Sequence, residues 1–176
     1  MNMRASLICA GMLLLALPAQ AANVSGADRR FVRIAMQGAL EEIQRAQHMV
    51  NSQDPRVTAF AGKMITDHHQ EAQTLSGIAA DLQMDTGNVS PQRFGPNVEV
   101  SAGPAGVNTS RAQAMPATTY FQKEIAAHKT QLALFTREAQ TGNPRLRAFA
   151  KQQLPILKLH LAMAERSLTA ERREKH

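Results

Sequence analysis

The sequence predicts an all-α protein, four amphipathic helices arranged as two antiparallel hairpins with a long crossover connection between them. Three observations predict this. Four stretches carry apolar residues at helical spacing. Within each pair the stretches are separated by only a few residues that end in a cap and a proline, which leaves room for nothing but an antiparallel hairpin. The two hairpins also repeat: Asp54-Pro55-Arg56-Val57-Thr58-Ala59-Phe60-Ala61 matches Asn143-Pro144-Arg145-Leu146-Arg147-Ala148-Phe149-Ala150 at cap, proline, arginine, aliphatic, Ala, Phe and Ala. Composition agrees, because 176 residues without Trp and with a single Tyr favour helix over sheet and suffice for one core.

At the N-terminus, Arg4 precedes an apolar run from Ala5 to Leu17 and the small-residue site Ala19-Gln20-Ala21. This is the pattern of a secretory signal, residues 1–21, with cleavage after Ala21 and a single domain over 22–176. The expected location is the periplasm, or the periphery of the outer membrane. Cys9 lies too early in that run for lipid attachment, so the mature chain is free of cysteine and needs no disulfide. Removing the signal takes away Arg4 and no acid, so the net charge falls from +6 to +5. Such a charge predicts weak attraction to anionic envelope surfaces and no more. Nucleic acid is disfavoured as a partner by compartment and by the lack of a concentrated basic and aromatic patch. No stretch of the mature chain has the 18 consecutive apolar residues of a membrane span. Oligomeric state is not fixed by the sequence.

The first helix is expected from Asp28 to about Asn51, with Phe31, Ile34, Ala35, Gly38, Ala46 and Met49 on one face and Glu42 at its centre. Asp54 reads as the N-cap and Pro55 as the first residue of the second helix, which runs to about Leu82. On its apolar face Val57, Phe60, Ala61, Met64, Ala72, Leu75, Ile78 and Ala79 surround His68. Residues of about 85–115, rich in Gly and Pro and without a sustained period, read as the crossover. The third helix, Pro116 to about Gln140, sets His128 on the face of Phe121, Ile125, Leu132 and Phe135, with Glu124 nearer an edge. The fourth, Pro144 to about Ala170, sets His160 and Gln153 among Leu146, Phe149, Leu157, Leu161 and Leu168, with an expected kink at Pro155. The tail 171–176 is charged and expected to fray.

Glu42, His68, His128 and His160 are the candidate metal ligands. A titratable group in an apolar stripe needs a partner inside the fold. Glu42 lies 12 residues before Asp54 and His68 14 after it, while His128 lies 15 before Asn143 and His160 17 after it. In antiparallel hairpins these pairs stand at matching heights. With the two turns at opposite ends of the bundle, all four residues converge near its middle, and Glu42 becomes the expected partner of His68.

Phe31 through Ala35, Gly38 to Glu42-Ile43, Phe60-Ala61, Met64 and Asp67-His68 match a known pattern, as do Tyr120, His128, Phe149-Ala150 and Leu154-Pro155-Ile156-Leu157 to His160. Over nearly all of the mature chain the sequence resembles the exported bacterial family called domain of unknown function 4142. It departs from that pattern at Ala39, where a second glycine is common, and at Ala117-Thr118, where a Phe-Asp pair stands. The resemblance implies a ferritin-like four-helix bundle and an exported compartment.

Three imidazoles and a carboxylate suit one transition-metal ion, Zn, Fe or Cu, and suit Mg or Ca poorly. A ferritin-type di-iron centre takes a Glu-x-x-His pair from each of two helices. Here Ile65 and Leu157 hold the glutamate positions, so iron storage and di-iron chemistry are disfavoured. Met64 and Met163 are soft donors or, more simply, core filler. Asp67 and His69 flank His68 and read as outer partners of the ligands or, more simply, as a solvated helix edge. The competing reading is a metal-free polar network in a structural or interaction module of the envelope, with Glu42 ionised, one histidine protonated and Gln153 completing the hydrogen bonds. An enzyme is disfavoured, since no nucleophile elbow, phosphate loop or metallohydrolase motif is present.

Overall fold

The computed structural model describes residues 24–86 and 115–174, which form four α-helices: α1 (Gly26–Gln47), α2 (Pro55–Asp81), α3 (Ala117–Thr141) and α4 (Pro144–Arg173). The expected signal and most of the crossover lie outside the described residues. Among the described residues no helix is long and apolar enough to cross a membrane.

Local chemistry sets the helix ends. Ser25 and Asp28 close a reciprocal capping box at the start of α1. Asp54 and Asn143 each accept from the N–H two residues on, and Pro55 and Pro144 occupy first helical positions, as the sequence predicts. α1 stops four residues short of its expected end, because residues 48–51 form a turn in which the Met49 N–H donates to the Ala46 carbonyl. α2 ends in a left-handed Gln83 (φ 51°), with Met84 N–H donating to Ala79 O and Met84 tucked against the core. α4 runs three residues into the stretch expected to fray. Its last turn is held by Arg56, which bonds Glu171 and Glu174 across the bundle at 2.8 and 2.7 Å. Pro155 sits on the exposed side of α4, so the carbonyl it leaves free on Lys151 faces water.

α1 packs on α2 and α3 on α4, and the hairpins meet through α1–α3 and α2–α4 contacts. The turns lie at opposite ends. Arg56, beside the first turn, reaches the end of α4, while Arg145, beside the second, reaches Asp81 at the end of α2 at 2.6 Å. The repeat thus places its two arginines in equivalent clamps.

Two apolar clusters fill the bundle. One holds Phe31, Met36, Leu75, Phe135, Phe149 and Leu157 near the second turn; the other holds Met49, Val57, Phe60, Met64, Tyr120 and Phe121 near the first. Each repeat contributes its matched phenylalanine, Phe60 or Phe149, to a different cluster. Met64 is wholly buried and Met163 partly buried in the second, in keeping with core packing. Ile34, assigned above to the apolar face of α1, is 44% exposed because it lies on the flank where no helix covers it.

At the second turn the Asp28 carboxylate accepts from the Asn143 N–H at 2.8 Å. Gly142 has no room for a side chain there: a Cβ would overlap the Glu138 carboxyl and lie 2.9 Å from the Glu138 carbonyl. Burial, then the hydrogen bond and charge of Asp28, push the Glu138 carboxyl up to about 7 from an ordinary 4.5. The folded chain therefore holds a proton that the unfolded chain releases, so stability falls as pH rises from about 4.5 to about 7. Glu138→Gln should remove that loss. Thermal melts should show the variant more stable by about 1–2 kcal/mol near pH 8, a figure discounted for solvent screening, with the difference vanishing near pH 4.5.

Candidate metal centre

Between the two apolar clusters lies a polar layer. Its members are buried to the last few per cent: Glu42 and His68 are 1% exposed, and Glu124, His128 and His160 are 0%. All four residues predicted as ligands are in this layer. The structure brings one nitrogen from each of His68, His128 and His160 within 4.8 Å of the others, and groups Glu42 with Glu124 and His128 at the same spacing. These buried His/Glu clusters could hold a metal ion.

Hydrogen bonds fix which nitrogens face inward. His128 Nδ1 lies 2.9 Å from the Glu124 carbonyl oxygen, which can only accept, so that nitrogen carries the hydrogen. His68 Nδ1 donates to Glu71 Oε2 at 2.9 Å, and His160 Nε2 donates to Asp67 Oδ2 at 2.7 Å. In neutral rings the remaining nitrogens, His68 Nε2, His128 Nε2 and His160 Nδ1, carry lone pairs. His128 Nε2 and His160 Nδ1 stand 3.3 Å apart, and His68 Nε2 is buried with no hydrogen-bond partner. Each ring is thereby oriented from behind by a carboxylate or a carbonyl, the arrangement that presets imidazoles as metal ligands.

Charge in the layer follows from burial and neighbours. Burial, with the positive character of His68 and His128, pushes His160 down to about 4 against the pull of Asp67, so it is neutral near pH 7. Burial also lowers His128. Burial opposes a charge on His68 too, but the hydrogen bond and charge of Glu71, with Glu42 and Asp67, outweigh it and raise its pKa. A proton on His68 Nε2 leaves an N–H with nothing to donate to, at a cost of about 1–3 kcal/mol.

On the other flank, the Glu42 and Glu124 carboxyls are driven apart in pKa. Burial, then the Glu42 bond and charge, push the Glu124 carboxyl up to about 9. Burial works against a charge on Glu42, yet the Glu124 bond and the charges of His68 and Arg45 hold it below the carboxylate range. Arg45 Nη1 bonds Glu42 Oε2 at 2.8 Å and Glu124 Oε1 at 3.0 Å. His68 therefore draws its hydrogen bond from Glu71 on its own helix, not from Glu42 as expected, because Arg45 and Glu124 engage the Glu42 carboxylate.

Three participants, Glu71, Glu124 and Arg45, were not assigned to the site from the sequence, and a fourth, Asp67, was weighed as an outer partner but set aside. Asp67, assigned to a solvated edge, bonds His160 on the facing helix. Glu71 was legible through the repeat, standing 17 residues after Asp54 as His160 stands 17 after Asn143. Glu124 was legible too, since Glu124-Ile125 repeats Glu42-Ile43. Arg45 gives no signal beyond its position one turn after Glu42. Gln153 is buried but lies seven residues, about 10 Å, along α4 from His160.

The profile of Domain of unknown function (DUF4142) matches residues 15–166. The chain belongs to the DUF4142 family. Among solved structures, this DUF4142 chain is similar to a DUF305 fragment from Deinococcus radiodurans, with a TM-score of 0.65 and 14% identity over 84% of this chain and 98% of that one. At that identity the likeness concerns the fold, an all-α four-helix bundle. No curated protein matches the DUF4142 chain.

Proposed function

We propose that the mature chain is an exported, periplasmic protein that holds one transition-metal ion on His68, His128 and His160, to buffer, sense or protect against that metal. The observation that carries this reading is the set of three inward lone pairs. Each imidazole spends its N–H on an outer acceptor, so among the described residues nothing supplies a hydrogen to fill the space between them. A metal ion would supply a partner for His68 Nε2. The all-nitrogen inner set suits Zn, Cu or Fe. Glu42, the fourth predicted ligand, is turned to the other flank of the layer, where it groups with Glu124 and His128 and bonds Arg45.

The metal-free module is favoured by one observation, the bonding of one oxygen each of Glu42 and Glu124 by Arg45, a cation that the chain itself supplies. Elemental analysis of the mature protein purified from its native compartment separates the two. The metal reading expects about one equivalent per chain, an N-terminus at Ala22, and a melting temperature lowered by a chelator. A chain free of metal whose melting is unchanged by chelator would sink it.

A further inference from the structure

We propose that Glu42 and Glu124 form a second, latent cation site, and that the Arg45 guanidinium is its built-in plug, displaceable by a divalent first-row ion that accepts oxygen donors, such as Mn(II). This extends the metal reading to a different set of atoms and is tested apart from it. The ligand atoms of Glu42, Glu124 and His128 lie within 4.8 Å of one another and all three residues are buried. One nitrogen of Arg45 bridges an oxygen of each carboxylate, at 2.8 and 3.0 Å, as a bridging cation would.

A second observation points to a ligand there. Glu124 Oε2, within the cluster, and the Tyr120 hydroxyl, one turn earlier on α3, are both buried with no hydrogen-bond partner. The Glu124 oxygen that Arg45 leaves without a partner is the atom an ion would engage. Arg45 is also the member of the cluster that reaches solvent: its side chain is 22% exposed, against 2% for Glu42 and 0% for Glu124. It is therefore the member whose displacement would open the cluster to solvent. His128 Nε2 is committed to the histidine cluster, so the second site draws on the two carboxylates and water, a donor set that suits Mn(II) better than Cu(II).

The experiment uses the mature chain, wild type, Arg45→Gln and Arg45→Gln/Glu124→Gln, each given one equivalent of Zn(II) and then titrated with Mn(II) while the free Mn(II) resonance is followed. Arg45→Gln should bind one further equivalent at least tenfold more tightly than wild type, and the double variant should lose it. If Arg45→Gln fails to fold without metal, excess Mn(II) should restore its helical circular dichroism. Binding equal to wild type, binding retained in the double variant, or an unfolded variant that Mn(II) does not rescue would each overturn the proposal. Should wild type take up no Zn(II), the histidine reading falls, and the Mn(II) difference between the variants still decides this one.

Discussion

Replacing His128 by alanine is expected to abolish stoichiometric metal binding. The three rings form a nearly equilateral triangle, with His128 5.6 Å from His68 and 5.2 Å from His160, and His68 5.5 Å from His160. Removing His128 takes away one of three inward lone pairs and frees the Glu124 carbonyl that oriented it. The affinity should fall by more than about 100-fold, beyond the range seen when only an outer partner is lost. Wild type at about 100 times its Kd gains roughly 2.7 kcal/mol from the ion. His128→Ala should show no metal-dependent shift in Tm, whatever the variant costs the metal-free fold. The exposed His48 is the matched control, and His48→Ala should keep its metal. An equivalent of metal retained in His128→Ala, by elemental analysis, would remove the histidine cluster as the binding site.

The largest loss of stability is expected from Phe60→Ala. The ring is 1% exposed and meets Tyr120 and Phe121 edge-on, with centroids 5.8 and 5.5 Å away. It joins α2 to α3 at the end of the bundle beside the polar layer. Truncation leaves a cavity between rigid helices and should cost about 3–5 kcal/mol. For a chain of this size that is a fall of roughly 10 °C in Tm. A loss below about 1 kcal/mol in a denaturant titration would mean that this end of the bundle collapses to fill the space, and that the aromatic cluster does not set its geometry.

Several features could be read without coordinates because they are local or periodic. Asp54-Pro55 and Asn143-Pro144 are cap signals that act within one turn, and both helices start where those signals lie. Apolar spacing marked four helices and the burial of His68, His128 and His160. Height was legible as well, since rise per residue is fixed. Counting from the two turns placed all four predicted ligands in the same layer. The family likewise followed from residues scattered over the whole chain, and the matched profile spans 15–166.

Partner choice was not legible, because it depends on how far each helix is rotated about its axis and on where long side chains end. Glu124 looked like an edge residue on a helical projection, yet it is wholly buried where α3 meets α1. Asp67 did lie at an edge, but that edge faces α4, so its carboxylate reaches His160. Arg45 is a surface arginine by any sequence measure, and only the packing of α1 against α3 lets one nitrogen bridge two acids. The sequence by itself determined the four helices, their antiparallel pairing and the height of the histidines, since short-range sterics and a fixed rise set these. Tertiary structure alone decided that Glu71, Asp67 and the Glu124 carbonyl hold the three rings, and that Arg45 takes the acids of the first and third helices, since those contacts join atoms whose separation no helical period encodes.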